Sequence, residues 1–309
     1  MDRTYPHLTE ETEARFRADL IDAASAIGAS ITFLDPNDEA MLLSSDGKPS
    51  NMGLQNVSRD YALAEGDRAS ELYVIGEYFK MFQPADPVDT SPEATKQRLK
   101  IRVSPAEMLQ ELLSLSSDVS FDQTTSPLAT GLMTALVDDQ PVSIASISDQ
   151  TLANLGTSEE LYPIALENTR TELLGQQPVV EHMPGEEHPT GFTYIEDAGY
   201  FLSSVVIFPE ILQSWVPTLN PETGYIVSVP TRDIILVAPV TSSTDLFNSL
   251  QTILGLTVSL YEKNSHPVSP YIYLQRVGHE ILETIGGPIV EDGETKLVLP
   301  LPEYLSELL

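Results

Sequence analysis

The stretch from 199 to 240 organises the rest of this chain. Residues 199–208 and 225–238 are apolar, β-branched runs of strand length, and between them Pro209 opens a segment around Trp215 before a turn at 220–224. Such runs predict paired core strands with a helix or turn between them. Upstream, Thr9 can cap a helix carrying Phe16, Leu20, Ala23, Ala24 and Ile27 on one face, with Gly28 at its stop. Three short strands come next, over 29–34, 40–44 and 51–57. A helix over 58–82 then carries Tyr61, Tyr73, Tyr78, Phe79 and Phe82 as a core stripe. Residues 1–82 therefore read as an α-β-β-β-α unit.

The periodicity lapses over 83–97, where Pro84, Pro87 and Pro92 among small polar residues predict a linker. Beyond it lies a larger domain over 98–277. It begins with a strand at 100–103. Ser104-Pro105-Ala106-Glu107 then combines an N-cap, a first-turn proline and a capping-box glutamate, predicting a helix to Leu115. Runs 128–137 and 142–147 flank Asp138-Asp139-Gln140-Pro141 as a hairpin. Ser148 and Ser158 are placed to cap two helices, the second tolerating Pro163 early and stopping at Gly175. A helix over 244–263 and a last strand over 271–276 complete the domain. Gly286-Gly287-Pro288 and Pro300-Leu301-Pro302 mark 278–309 as a peripheral tail whose end, 304–309, can dock apolar side chains. The fold class expected is α+β, two small mixed units with antiparallel sheets and helices packed on one face.

Charge changes this picture more than composition does. Hydrophobic residues at 41% and charged residues at 20% of 309 place the chain among ordinary globular proteins. Yet 46 acidic against 16 basic side chains leave a net charge of -30. A surface of that sign repels phosphate backbones, so nucleic acid and anionic membranes are not expected partners. Solubility, or capture of a basic protein partner, are the two readings of the acidity. The absence of cysteine removes disulfides and thiolate chemistry. No apolar leader and no run near 18 apolar residues is present, so membrane insertion is not expected and the location expected is cytoplasmic. Without a Gly-x-Gly-x-x-Gly or a Walker-type loop, no cofactor is expected.

Several short stretches resemble the YtpQ-like family, bacterial proteins whose biochemical function is unassigned. Val227-Ser-Val-Pro-Thr-Arg-Asp-Ile-Ile-Leu-Val237 is similar to that family's VPxxDxLLV strand, and Asp197–Ser204 to its DGY-x-x-S strand. Residues 158–173 resemble its ALxNLR helix, with Thr169 where leucine is commoner. Lys100-Ile-Arg-Val-Ser104 and Asp138-Asp139 fit in the family order. The resemblance spans about 10–276 and implies no reaction.

The candidate chemistry is sparse. Ser203 or Ser204, His266 and Asp233 supply the residue types of a nucleophile, base and orienting acid. No Gly-x-Ser-x-Gly elbow accompanies them, and a serine inside a regular strand lacks the turn that exposes its oxygen. His182, Glu186 and His188 form the one local cluster of metal-competent ligands, without the helical spacing that presets a zinc site. Arg232 and Asp233 interrupt an apolar run. Strand alternation puts them on opposite faces with separate partners, Tyr200 being the natural companion. They suit either a polar network of the fold or contact with a ligand. The expected function is a non-catalytic acidic protein-binding module, adaptor, chaperone-like or toxin-neutralising. Tyr200, Ser203, Ser204, Arg232, Asp233 and His266 are its candidate contacts. The alternative is a hydrolase or metal-dependent enzyme using Tyr200, Arg232, Asp233 and His266.

Overall fold

A computed structural model describes residues 5, 7–34, 39–44, 47, 49–80, 82, 88–108, 120–141, 143–184, 191–220, 222–240, 244–276, 282–291 and 293–306. It shows an α+β fold of antiparallel sheets and helices divided into two compact units. The first holds residues 1–88 with the short pieces Pro141–Ser143 and Lys263–Ser265; the second holds the remainder.

In the first unit, helix α1 (Glu10–Ala26) starts where Thr9 accepts a hydrogen bond from the Thr12 amide, and it ends at Gly28, whose φ of 73° suits glycine. Strands β1 (Ser30–Phe33), β2 (Glu39–Leu43) and β3 (Pro49–Gly53) form an antiparallel sheet in sequence order. The long helix expected over 58–82 is two helices, α2 (Gln55–Leu63) and α3 (Arg68–Lys80), because the chain turns at Gly66 with φ 95°. Tyr61 and Phe79 are buried in the core with Phe16, Leu20 and Ile75, whereas Tyr73 is 67% exposed and leaves the expected stripe.

A buried charge network ties these helices together. Tyr61 donates its hydroxyl to Asp19 Oδ2 at 2.6 Å, Arg68 forks onto Asp19 and reaches Glu71 at 3.0 Å, and Arg15 meets Glu71 at 3.1 Å. Burial alone raises the Asp19 and Glu71 carboxyls, but Arg68 with Tyr61 in the first case, and Arg68 with Arg15 in the second, hold both below the usual range. A folded pKa below the unfolded value adds stability above the unfolded pKa, about 4, and that stability is lost as pH falls through the folded one. Asp19→Asn is therefore expected to cost about 2 kcal/mol near neutral pH, discounted because Arg68 is half exposed. It should also flatten the fall of unfolding temperature below pH ~4. A variant melting with unchanged acid sensitivity would show that Asp19 is not one of the groups responsible.

The second unit contains two sheets. Helix α4 (Pro92–Arg98), capped by Ser91, occupies the last part of the expected linker; residues 83–87 lie outside the described residues. Strand β4 (Leu99–Pro105) pairs with β6 (Leu132–Gln140), which also pairs with β5 (Thr125–Ala129) and β7 (Ser143–Ser146). The capping box expected at Ser104 is absent: Ser104 and Pro105 are still strand, opposite Met133 and Leu132, and the Ser104 hydroxyl is buried without a partner among the described residues. Residues 109–119 of the expected helix lie outside the described residues. Helices α5 (Asp149–Leu155) and α6 (Ser158–Gly175) come next, capped by Ser148 and by a capping box of Thr157 with Glu160.

The seven-stranded sheet runs in the order β14-β13-β12-β10-β11-β9-β8. Its strands are β8 (Val179–Met183), β9 (Phe192–Glu196), β10 (Tyr225–Thr231), β11 (Ile234–Pro239), β12 (Ile272–Gln275), β13 (Glu283–Glu291) and β14 (Glu294–Val298). Alternation divides its side chains between two cores. Val227, Val229, Ile235, Val237 and Tyr273 pack with a 3-10 helix (Leu202–Ile207) and α7 (Pro209–Trp215). Ile226, Leu236, Ala238 and Leu274 pack with α8 (Thr244–Lys263). Both faces are covered, which is why these strands read as unbroken apolar runs.

Two expectations are corrected here. The run 199–208 is not a strand: Leu202–Ile207 form the 3-10 helix, with Leu202 to Val206 buried. The segment 278–309 is not peripheral. It adds β13 and β14 to the large sheet, and with the short helix α9 (Glu303–Ser306) it buries Ile285 and Leu305 completely. Residues 307–309 lie outside the described residues.

Candidate functional site

Arg232 and Asp233 are the two-residue turn joining β10 to β11, closed by a Thr231–Ile234 pair. They are not alternating strand positions, and they do pair with each other. Arg232 Nε reaches Asp233 Oδ1 at 2.9 Å and its Nη2 reaches Oδ2 at 3.1 Å, so both carboxylate oxygens are engaged. The expected companion stands on the other side, where the Arg232 guanidinium lies 4.4 Å from the centre of the Tyr200 ring. The loop after α8 clamps the turn: Arg232 N–H donates to the His266 carbonyl at 3.0 Å, and Val268 and Ser269 N–H donate to Pro230 and Val229. His266 thus enters the cluster through its backbone.

Ser203 and Ser204 stand apart from that cluster. Both are fully buried on the 3-10 helix. Ser203 Oγ donates to the Val103 carbonyl and Ser204 Oγ accepts from the Val103 N–H, each at 3.0 Å. Neighbouring side chains extend this clasp along β4. Thr169 Oγ1 accepts from Ile101 N–H at 2.8 Å, and Asn168 Nδ2 donates to the Leu99 carbonyl at 2.9 Å. The hydroxyls considered as nucleophiles are structural partners of a strand, and the serine, histidine and aspartate do not assemble.

The residue that sequence reasoning missed is Arg102. It lies on β4 opposite Ala135, beside the Val103 that the 3-10 helix clasps. Its charge interacts with Arg232, Asp233 and Tyr200. Half-buried, it makes no hydrogen bond or ion pair among the described residues, and its Nε is buried without a partner. Burial, then the neighbouring Arg232 charge, pull it below the ordinary arginine range, where a guanidinium still keeps its proton at neutral pH. The other cations nearby are compensated. Arg98 forks onto Asp138 at 2.7 and 3.1 Å, and Lys100 meets Asp139 and Glu172 while lying 4.7 Å from the Phe201 ring. The sequence signal was the alternation Lys100-Ile-Arg102, two cations on one strand face in a chain poor in them.

Elsewhere the chemistry is thin. His182 is exposed on β8, with Nδ1 3.5 Å from Thr193 Oγ1; Glu186 and His188 lie outside the described residues. Among the described residues no group of three or more histidines and carboxylates is placed to hold a metal ion, and no helix is long and apolar enough to cross a membrane. A cavity of about 670 Å³ between α5 and α6 is lined by Gln123, Asp149, Thr157 and Glu159. Its Asp149 already holds Ser120 and the Gln123 amide, and its Thr157 caps α6. No family model matches the chain, and no curated protein or solved structure matches it either.

Proposed function

We propose that this chain is a non-catalytic binding protein that captures a basic protein partner on its acidic surface. The observation that carries the reading is the engagement of Ser203 and Ser204 with Val103, which commits to the fold the two hydroxyls considered as nucleophiles. The net charge of -30 supplies the long-range attraction that such a partner would feel. An adaptor, chaperone-like or toxin-neutralising role, in the cytoplasm and away from nucleic acid, goes with the same reading. The motif resemblance to the YtpQ-like family supports a shared architecture and adds no chemistry.

Electrostatic capture weakens with salt, because the screening length shrinks from about 10 Å at 0.1 M to about 3 Å at 1 M. Tagged protein drawn through host lysate at those two concentrations is expected to retain a stoichiometric basic protein at the lower and release it at the higher. Retention that ignores salt, or no stoichiometric partner, would overturn the proposal.

A further inference from the structure

We propose that Arg102, with Arg232 and Tyr200, forms a binding site for the carboxylate group of a ligand. Along α4 and β4 the fold provides a carboxylate for Arg98 and two for Lys100, yet none among the described residues for Arg102. Asp233, whose charge acts on Arg102, has both oxygens engaged by Arg232. Two guanidiniums and one carboxylate leave a local charge of about +1 in a half-buried position, a costly arrangement unless an anion completes it.

The character of that anion is set by the same groups. A guanidinium presents parallel N–H groups that match the two oxygens of a carboxylate. A single negative charge balances the local excess. A phosphate dianion overshoots it, inside a molecule already at -30. Tyr200, 58% exposed as a residue and with the Arg232 guanidinium over its ring, offers an accessible wall beside the charge. This site does not rest on the capture of a basic partner; either reading can fail without the other.

The test uses the full-length chain, labelled with 15N, observed through its arginine Nε–H signals while acetate is added at constant ionic strength. Saturable shifts of the Arg102 and Arg232 signals are expected, and Arg102→Met should weaken acetate binding about tenfold or more. Where Arg102→Met does not fold, Tyr200→Ala, which removes an exposed ring, carries the test with an expected loss of about threefold. Short peptides with free and amidated C-termini separate the sources of the carboxylate. A free-acid peptide that binds more tightly than acetate, with its amide inactive, assigns a chain terminus. Equal affinity for acetate and the free acid assigns a small carboxylate. The proposal is overturned by the absence of saturable shifts, by inorganic phosphate binding more tightly than acetate, by an amide as active as the acid, or by folded variants with unchanged affinity.

Discussion

A chain ending at Arg276 is expected to lose its larger unit altogether. Removing residues 277–309 strips β13 from β12, where Ile272, Tyr273 and Leu274 face Gly286, Thr284 and Glu283, and leaves β12 as a bare edge. It also removes Leu282, Ile285 and Leu305, which are between 0% and 4% exposed. At about 1.5–3 kcal/mol for each fully buried side chain, these three alone contribute about 5–9 kcal/mol. A typical domain has only about 5–15 kcal/mol to lose. The measurement is thermal unfolding of the truncated chain beside the full-length protein. Loss of the cooperative transition of the larger unit is expected, whereas a truncated chain melting within about 4 °C of the intact one would show the segment to be dispensable.

Replacing the clasp on β4 is expected to have the next largest effect. Ser203→Ala strands the Val103 carbonyl, and Ser204→Ala strands its N–H, in a site closed to water. Each unpaired buried group costs about 1–3 kcal/mol, so the double variant should lose about 2–6 kcal/mol. For a unit of this size that is a fall in melting temperature of roughly 5–20 °C. An orphaned N–H is worse tolerated than an orphaned carbonyl, which has two lone pairs, so Ser204→Ala should be the more damaging single change. If these serines were nucleophiles with no structural duty, both variants would keep the parental melting temperature.

What could be read from the sequence was what short-range rules govern. Thr9 and Gly28 frame α1 at its observed ends, and the pattern over 244–263 coincides with α8. Local caps set the first, and one amphipathic face sets each. The turn at Arg232–Asp233 escaped notice because a two-residue hairpin is normally announced by Gly or Asn at positive φ. Here neither turn residue has positive φ, and an irregularity in the pairing between Ser228 and Thr231 opens the bend instead. Leu202–Ile207 looked like a strand because valine and isoleucine favour one. Burial among Ile211, Leu212 and Val229 overrides that preference. Gly286-Gly287-Pro288 resembled a loop, yet it lies inside β13. A Cβ on Gly287 would fall 2.0 Å from Tyr271 Cδ1, so glycine makes room for a ring there. Arg102 was visible only as a second cation on one strand face, and its lack of a counter-ion was not. Whether a cation lacks a counter-ion depends on which carboxylates the fold carries to it, and no spacing rule encodes that.

The clasp on β4 has a further consequence for how copies of this chain can meet. A strand at the border of a sheet ordinarily offers a row of open amides and carbonyls on which another chain's strand can template itself, the usual route to aggregation and strand exchange. β4 is such a border, but Leu99, Ile101 and Val103 have already given their outward groups to Asn168, Thr169, Ser203 and Ser204. Four side chains act as a substitute strand that cannot be extended. Growth of that sheet at its β4 border is closed off, and at the two borders of the seven-stranded sheet, β8 and β14, Glu181, Glu294 and Lys296 put charge in the way of a second copy.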